Sequence, residues 1–176
     1  IMSTNFSALR DCAMSSDWIY ISGITLAILN GDADRECLLN DLANAKSRGS
    51  KIVFDGNFRP RLWSNKKNAL EWHTRAWRVC DIALAGAEDE ANLFEDMTEE
   101  ESLKRLRNYG IPEICLKNGP HPLLVSARSG TTILEIEPIK EILDTTAAGD
   151  SFNAGYIAAR LQNKTPVQAA RSAAIL

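Results

Sequence analysis

Residues 144–161 read DTTAAGDSFNAGYIAARL. Two threonines, two alanines and a glycine lie between Asp144 and Asp150, ahead of a run whose apolar residues keep helical spacing. Ala147, Ala148 and Gly149 carry almost no side chain, so a ligand can come close to their backbone. The N–H groups at a helix start have no intrahelical partner, and the helix dipole adds about half a positive charge at that end. The stretch therefore predicts a turn into a helix whose mouth attracts an anion, phosphate above all, and favours a carboxylate at Asp150. An acid beside a phosphate site can take the proton of a hydroxyl, which is what phosphoryl transfer to an alcohol needs. The plainer reading is a helix capped by Asp150 and packed closely through its small residues. Composition and spacing alone leave both readings open.

Upstream, short apolar runs alternate with helical patterns. DWIYIS (17–22), KIVFD (51–55), DIALA (81–85) and EICLK (113–117) read as buried strands. Between them, DADRECLLNDLANAKSRG places Ala33, Cys37, Leu38, Leu42 and Ala45 on one helical stripe, stopped by Gly49. NALEWHTRAWRV, AEDEANLF and TEEESLKRLRNYG are further helices, the last opened by Thr98 and Glu101 as a capping box. PLLVSARSGTTILEIEP breaks the alternation as a hairpin around Ser129 and Gly130, and Thr165 with Pro166 starts a final helix. Strand–helix alternation implies right-handed parallel crossovers and an α/β sheet covered on both faces, a three-layer sandwich with an antiparallel hairpin.

The 176 residues suit one domain, and 45% hydrophobic with 24% charged residues is a globular composition. A net charge of −3 with both signs interspersed recommends neither nucleic acid nor an anionic membrane. No apolar run approaches a bilayer span and IMSTNFSALRD lacks the form of a signal peptide, so a cytoplasmic location is expected. Cys12, Cys37, Cys80 and Cys115 form no CxxC pair, and with only His73 and His121 to help they read as reduced, mostly buried thiols rather than a zinc site. Trp18, Trp63, Trp72 and Trp77 read as core or edge packing, and EDMTEEESLKRLR as a wet helix face. The chain opens and stops inside helical patterns, so both ends read as cut and a piece of a longer protein is expected.

Open parallel sheets bind ligands beyond the carboxyl ends of their strands. Two further loops lie there. In DGNFRPRLW (55–63), Arg59 and Arg61 offer planar forks to a carboxylate or phosphate and Asn57 can bridge sugar and nucleotide oxygens, although arginines also decorate surfaces. In LKNGPHP (116–122), Asn118 and Gly119 are a turn signal on any reading. No GxGxxG follows a strand, which disfavours a dehydrogenase.

DTTAAGDSFNAGYIAARL resembles the C-terminal signature of the ribokinase-like, or PfkB, carbohydrate kinases, D-T-x-G-A-G-D-x-F before a helix. DGNFRPRLW resembles their D-x-N-x-R-x-x-L-W segment, and YISGITLAIL with AAGD is most similar to members acting on 2-keto-3-deoxygluconate. The likeness runs from about Asp17 to Leu176 and implies a ribokinase-like, Rossmann-type fold truncated at both ends. It implies ATP and Mg2+ as cofactors and a small sugar acid as substrate, with Asp150 as base and substrate contact. Ala147, Ala148 and Gly149 would be the anion hole, with Arg59 on the sugar's acid end and Asn57, Arg59, Lys117 and Gly119 around the nucleotide. Ala147 stands where most members have glycine, a change expected to be tolerated. The second glycine of the nucleotide loop is missing, with Pro122 near its place. The family's N-x-x-E element, which organises magnesium through water, aligns its glutamate with Glu90 but puts Ala87 in place of asparagine; a solvated acidic helix start explains those residues equally well. In some members a monovalent cation such as K+ sits near the positions of Asp144 and Thr146. Members also carry, ahead of the part that matches, a sugar-contacting segment and a β lid that often makes the homo-oligomer contact. The chain alone is therefore expected to be inactive. Two rival functions remain: a fructokinase or ribokinase relative, and a sugar- or nucleotide-sensing module without catalysis.

Overall fold

Four strands lie side by side in chain order, each returning in the same direction. The computed structural model describes residues 6–136 and 147–175. These strands are β1 (Trp18–Ser22), β2 (Lys51–Asp55), β3 (Ile82–Gly86) and β4 (Glu113–Lys117), and all their pairings are parallel. The hairpin of β5 (Leu123–Ala127) and β6 (Gly130–Leu134) adds antiparallel to β4, completing a six-stranded sheet.

Sequential order places the crossover helices together on one face. They are α2 (Gly23–Ala27), α3 (Asp32–Ser47), α4 (Lys66–Val79), α5 (Ala87–Phe94) and α6 (Glu99–Asn108), preceded by α1 (Phe6–Ser15). Strand residues alternate between two cores, as a period of two demands. Ile52, Phe54, Ala83, Ala85, Ile114 and Leu116 meet these helices. Val53, Ile82, Leu84, Cys115, Leu123 and Val125 point the other way, onto α7 (Ala148–Leu161) and α8 (Pro166–Ala173). The result is the expected three-layer α/β sandwich.

Several local readings shift. Gly23–Ala27 forms a short helix where only a strand end was expected. The inward stripe of α3 is Arg35, Leu39, Leu42 and Ala45; Ala33 is exposed and Cys37 and Leu38 are half-buried. The stripe turns because the Arg35 guanidinium lies over Trp63 and Trp72, 5.2 and 5.9 Å from their ring centroids, so its stem packs as an apolar residue. Trp63, Trp72 and Trp77 are buried as expected, and Trp18 packs at the edge of the second core. At α6 the Thr98 hydroxyl caps the Glu101 N–H, but the Glu101 carboxylate reaches the Met97 N–H instead of closing the box on Thr98. That helix is not wholly wet: Leu103 and Leu106 are buried, and Arg105 is drawn inward by Glu90 and Asp96. Only two of the four cysteines, Cys80 and Cys115, are buried; Cys12 is exposed and Cys37 half-buried. No helix among the described residues is long and apolar enough to cross a membrane.

Candidate active site

The register aligns the carboxyl ends of the parallel strands in one row, Ser22 against Asp55 and Gly86 against Lys117. The first turn of α7 lies at the same rim. Ala147, Ala148, Gly149 and Asp150 are all exposed, and among the described residues no side chain caps the helix. Its ladder begins with Ser151 N–H donating to Ala147 O at 2.8 Å, so the N–H groups of Ala148, Gly149 and Asp150 stand ahead of it. The helix begins two residues before Asp150, which therefore sits in the positive first turn. Ala147 has φ 60° and ψ 12°, the left-handed conformation that glycine adopts without strain and alanine at a cost of about 1–2 kcal/mol. The turn demands this shape whichever residue stands there.

Beneath the turn lies Lys117. Among the described residues, a Cβ built on Gly149 would meet only its Nζ, at 4.0 Å. Lys117 Nζ donates to Asn153 Oδ1 at 2.9 Å and lies 3.4 Å from Asp55 Oδ1. Asn153 Nδ2 donates to Asp55 Oδ2 at 2.9 Å and to the Tyr20 hydroxyl at 3.3 Å, and that hydroxyl donates to Asp55 Oδ2 at 3.3 Å. Burial, with the charge of Asp55 adding to it, pushes the Tyr20 phenol up to about 12, so it stays a neutral donor.

The loop after β2 supplies the other wall. Its Gly56 carbonyl lies 2.9 Å from His73 Nε2, the Ala69 carbonyl lies 2.8 Å from Nδ1, and burial depresses that imidazole's pKa. Gly23 presses on the loop so closely that a Cβ there would fall 2.1 Å from Gly56 O. Asn57 follows with φ 32°, and its Oδ1 is buried without a partner among the described residues. Arg59 is half-exposed, its Nη1 3.1 Å from Phe58 O and 3.5 Å from Asp89 Oδ1. Burial raises the Asp89 carboxyl above its ordinary value, with Arg59 opposing. The charge of Lys117 also lowers that pKa, which joins this wall to the lysine cluster. Arg61 lies in the following single-turn helix, Pro60–Leu62.

Glu90, one residue beyond Asp89, is 1% exposed, so the solvated helix start holds for Glu88 and not for Glu90. Its Oε2 accepts from Arg105 Nη2 at 2.7 Å, its Oε1 sits behind Gly56, and burial carries its carboxyl up to about 7 despite that arginine. Gly119 follows β4 in an exposed turn with φ 54°, closed by His121 N–H donating to Asn118 O at 2.9 Å. Asp144 and Thr146 lie outside the described residues.

The structure thus gathers Arg59, Lys117, Asp150 and the 147–149 turn at one rim, with Asn57 and Gly119 on its flanking loops. It adds four residues that motif reading passed over: Tyr20, Asp55, Asp89 and Asn153. Two had signals. Asp55 opens the D-x-N-x-R segment, and Asn153 follows Asp150 by three residues, one helical turn on the same side.

A mostly parallel α/β sheet whose strand ends carry a helix mouth, a lysine and an acid has the features with which such folds attract anions. Residues 3–175 match the model of the pfkB family of carbohydrate kinases, and the chain belongs to that family. It is 41% identical over 159 residues to a 2-dehydro-3-deoxygluconokinase of Dickeya dadantii, covering 88% of this chain and 51% of that protein. The chain thus spans about half the length of the curated relatives it matches. A PfkB protein from Polaromonas sp. JS666 superposes with a TM-score of 0.81 at 22% identity, over 94% of this chain and 53% of that one. The aminoimidazole riboside kinase of Salmonella enterica, complexed with aminoimidazole riboside and an ATP analogue, gives 0.78 at 22% identity, over 90% and 54%.

Proposed function

We propose that the intact protein is a sugar-acid kinase of the cytoplasm, transferring the γ-phosphoryl group of ATP to the 6-hydroxyl of 2-keto-3-deoxygluconate. Asp150 accepts the hydroxyl proton as that oxygen bonds to phosphorus, and the bond from phosphorus to the β-phosphate oxygen breaks to release ADP. Charge on the moving group meets the N–H groups of Ala148, Gly149 and Asp150 at the helix mouth. Arg59 binds the sugar carboxylate through its planar fork, and Asn57 and the Gly119 turn border the nucleotide. Magnesium, which takes oxygen ligands and keeps several waters, would neutralise charge on the triphosphate when bound. The residues present fit it: Asp89, a partly exposed carboxylate beside Arg59, would hold it at this rim, while Glu90 is buried behind Gly56 and paired with Arg105.

The observation that carries this reading is the exposed, uncapped turn at 147–150 with the Lys117 ammonium directly beneath it. Relatives at about 40% identity named 2-dehydro-3-deoxygluconokinase support the choice of substrate. The test is a coupled ADP-release assay on the intact protein with 2-keto-3-deoxygluconate, fructose and ribose. Turnover on the acid should exceed the others, and Asp150→Asn should lower kcat by orders of magnitude while ATP still binds. Undiminished turnover in Asp150→Asn removes the base. Arg59→Leu should harm only the acid substrate; an equal loss on fructose argues against the carboxylate contact.

A further inference from the structure

Behind the turn, four side chains from four elements close a polar cluster: Tyr20 of β1, Asp55 of β2, Lys117 of β4 and Asn153 of α7. Asn153 is 2% exposed and uses both ends of its amide, Oδ1 toward the ammonium and Nδ2 toward the carboxylate and the phenol. The reverse orientation would set like charges against each other at both ends, so the amide has one stable pose. The ammonium carries three hydrogens. Among the described residues two oxygens claim it, and the one from Asp55, the ionic partner, is the looser at 3.4 Å. A buried lysine and aspartate joined tightly would satisfy each other; held 3.4 Å apart by a neutral amide, the cation keeps attraction to spare for another anion. The open side is the underside of the α7 turn, where a Cβ on Gly149 would meet nothing nearer than this Nζ.

We propose that Asn153 is a positioning residue for phosphoryl transfer: with Asp55 it holds the Lys117 ammonium under the first turn of α7, so that the remaining N–H faces a nucleotide phosphate oxygen at the turn. The inference rests on the kinase reading above and adds the device that aims the charge. Tyr20, bonded to both Asp55 and Asn153, locks the pair from the sheet edge. Lys117 touches the phosphate; the other three act through it.

The test is a double-mutant cycle in the intact protein, with ATP affinity by calorimetry beside steady-state kinetics. Lys117→Met should raise KM for ATP about tenfold or more, the scale of one charge-assisted hydrogen bond, with KM for the sugar within about twofold. Asn153→Ala should raise it by a smaller factor. The double variant should be no worse than Lys117→Met alone, because Asn153 has no route to phosphate except that lysine. Asn153→Asp keeps the shape and guards against a misfolded variant. It sets a second carboxylate beside Asp55 and Lys117, with Asp150, Asp89 and Arg59 as the other charges near the rim. KM for ATP should then climb with pH more steeply than in the unaltered protein, where Asp89 and Glu90 are the carboxyls near the rim whose pKa is raised. Additive losses in the double variant, or a flat pH profile for Asn153→Asp, overturn the proposal. If no sugar is phosphorylated, the kinase reading fails, while the same calorimetric cycle still decides whether Asn153 acts through Lys117.

Discussion

Replacing Gly149 by alanine should separate the stability of this protein from its use of nucleotide. Gly149 lies in the first turn of α7 with φ outside the left-handed region, so an alanine there is unstrained. Among the described residues the added methyl meets one atom within 4 Å, Lys117 Nζ at 4.0 Å, an ordinary van der Waals separation. Alanine is favoured over glycine within a helix by up to about 1 kcal/mol, less in a first turn. At this chain length 1 kcal/mol corresponds to roughly 2–4 °C, so Tm should rise by about 1–3 °C. The same methyl stands between the lysine and the turn, where the proposed phosphate meets both. Loss of one oxyanion donor costs about 10²–10³ in rate, and a crowded but intact N–H should fall at the lower end, a roughly hundredfold drop in kcat/KM for ATP. Differential scanning calorimetry and the coupled assay read the two effects on one preparation. A stabilised variant with kcat/KM for ATP within a few-fold of the parent would show that phosphate does not use this turn. A fall in Tm would show instead that the space seen above Lys117 does not exist.

Two further outcomes follow from the packing behind the site. Gly23→Ala places a methyl 2.1 Å from Gly56 O and 2.5 Å from His73 Nε2, so the loop after β2 must move; unfolding in urea should show a loss of about 1–3 kcal/mol, and unchanged stability would contradict the contact. Glu90 has its folded pKa raised from 4.5 to about 7, so the stability it contributes is whole below the lower value and is lost as pH climbs through the upper one. That loss is roughly 3 kcal/mol at 1.36 kcal/mol per tenfold change in proton affinity. Glu90→Gln keeps an acceptor for Arg105 and cannot ionise, so it should gain on the parent between about pH 5 and pH 7.5 in urea titrations. A constant difference across that range would mean that Arg105 holds Glu90 ionised throughout.

Much of the fold is local chemistry and could be read from the chain. Four strands with apolar runs of five or so residues, helices between them and the Ser129–Gly130 turn suffice for a parallel sheet ending in a hairpin, since each depends on near neighbours. The rim loops were legible for the same reason: glycine, small residues and paired arginines at strand ends mark them. The α3 stripe differs because Arg35 counts as polar in any periodicity, and it joins the core through two tryptophans from a distant segment and the Leu26 carbonyl. The solvated reading of Glu90 fails likewise, since nothing beside it in sequence foretells Arg105 fifteen residues on.

By itself the sequence determined where a phosphate could lie, because a small-residue turn into a helix carries its unpaired N–H groups and its dipole wherever it is placed. Only the tertiary structure decided what stands beneath that turn. Lys117, Asp55, Tyr20 and Asn153 come from segments up to 133 residues apart, and their pairing rests on register between strands and the seating of α7 on the sheet. Charge interactions depend on distance in space, which short-range pattern does not encode.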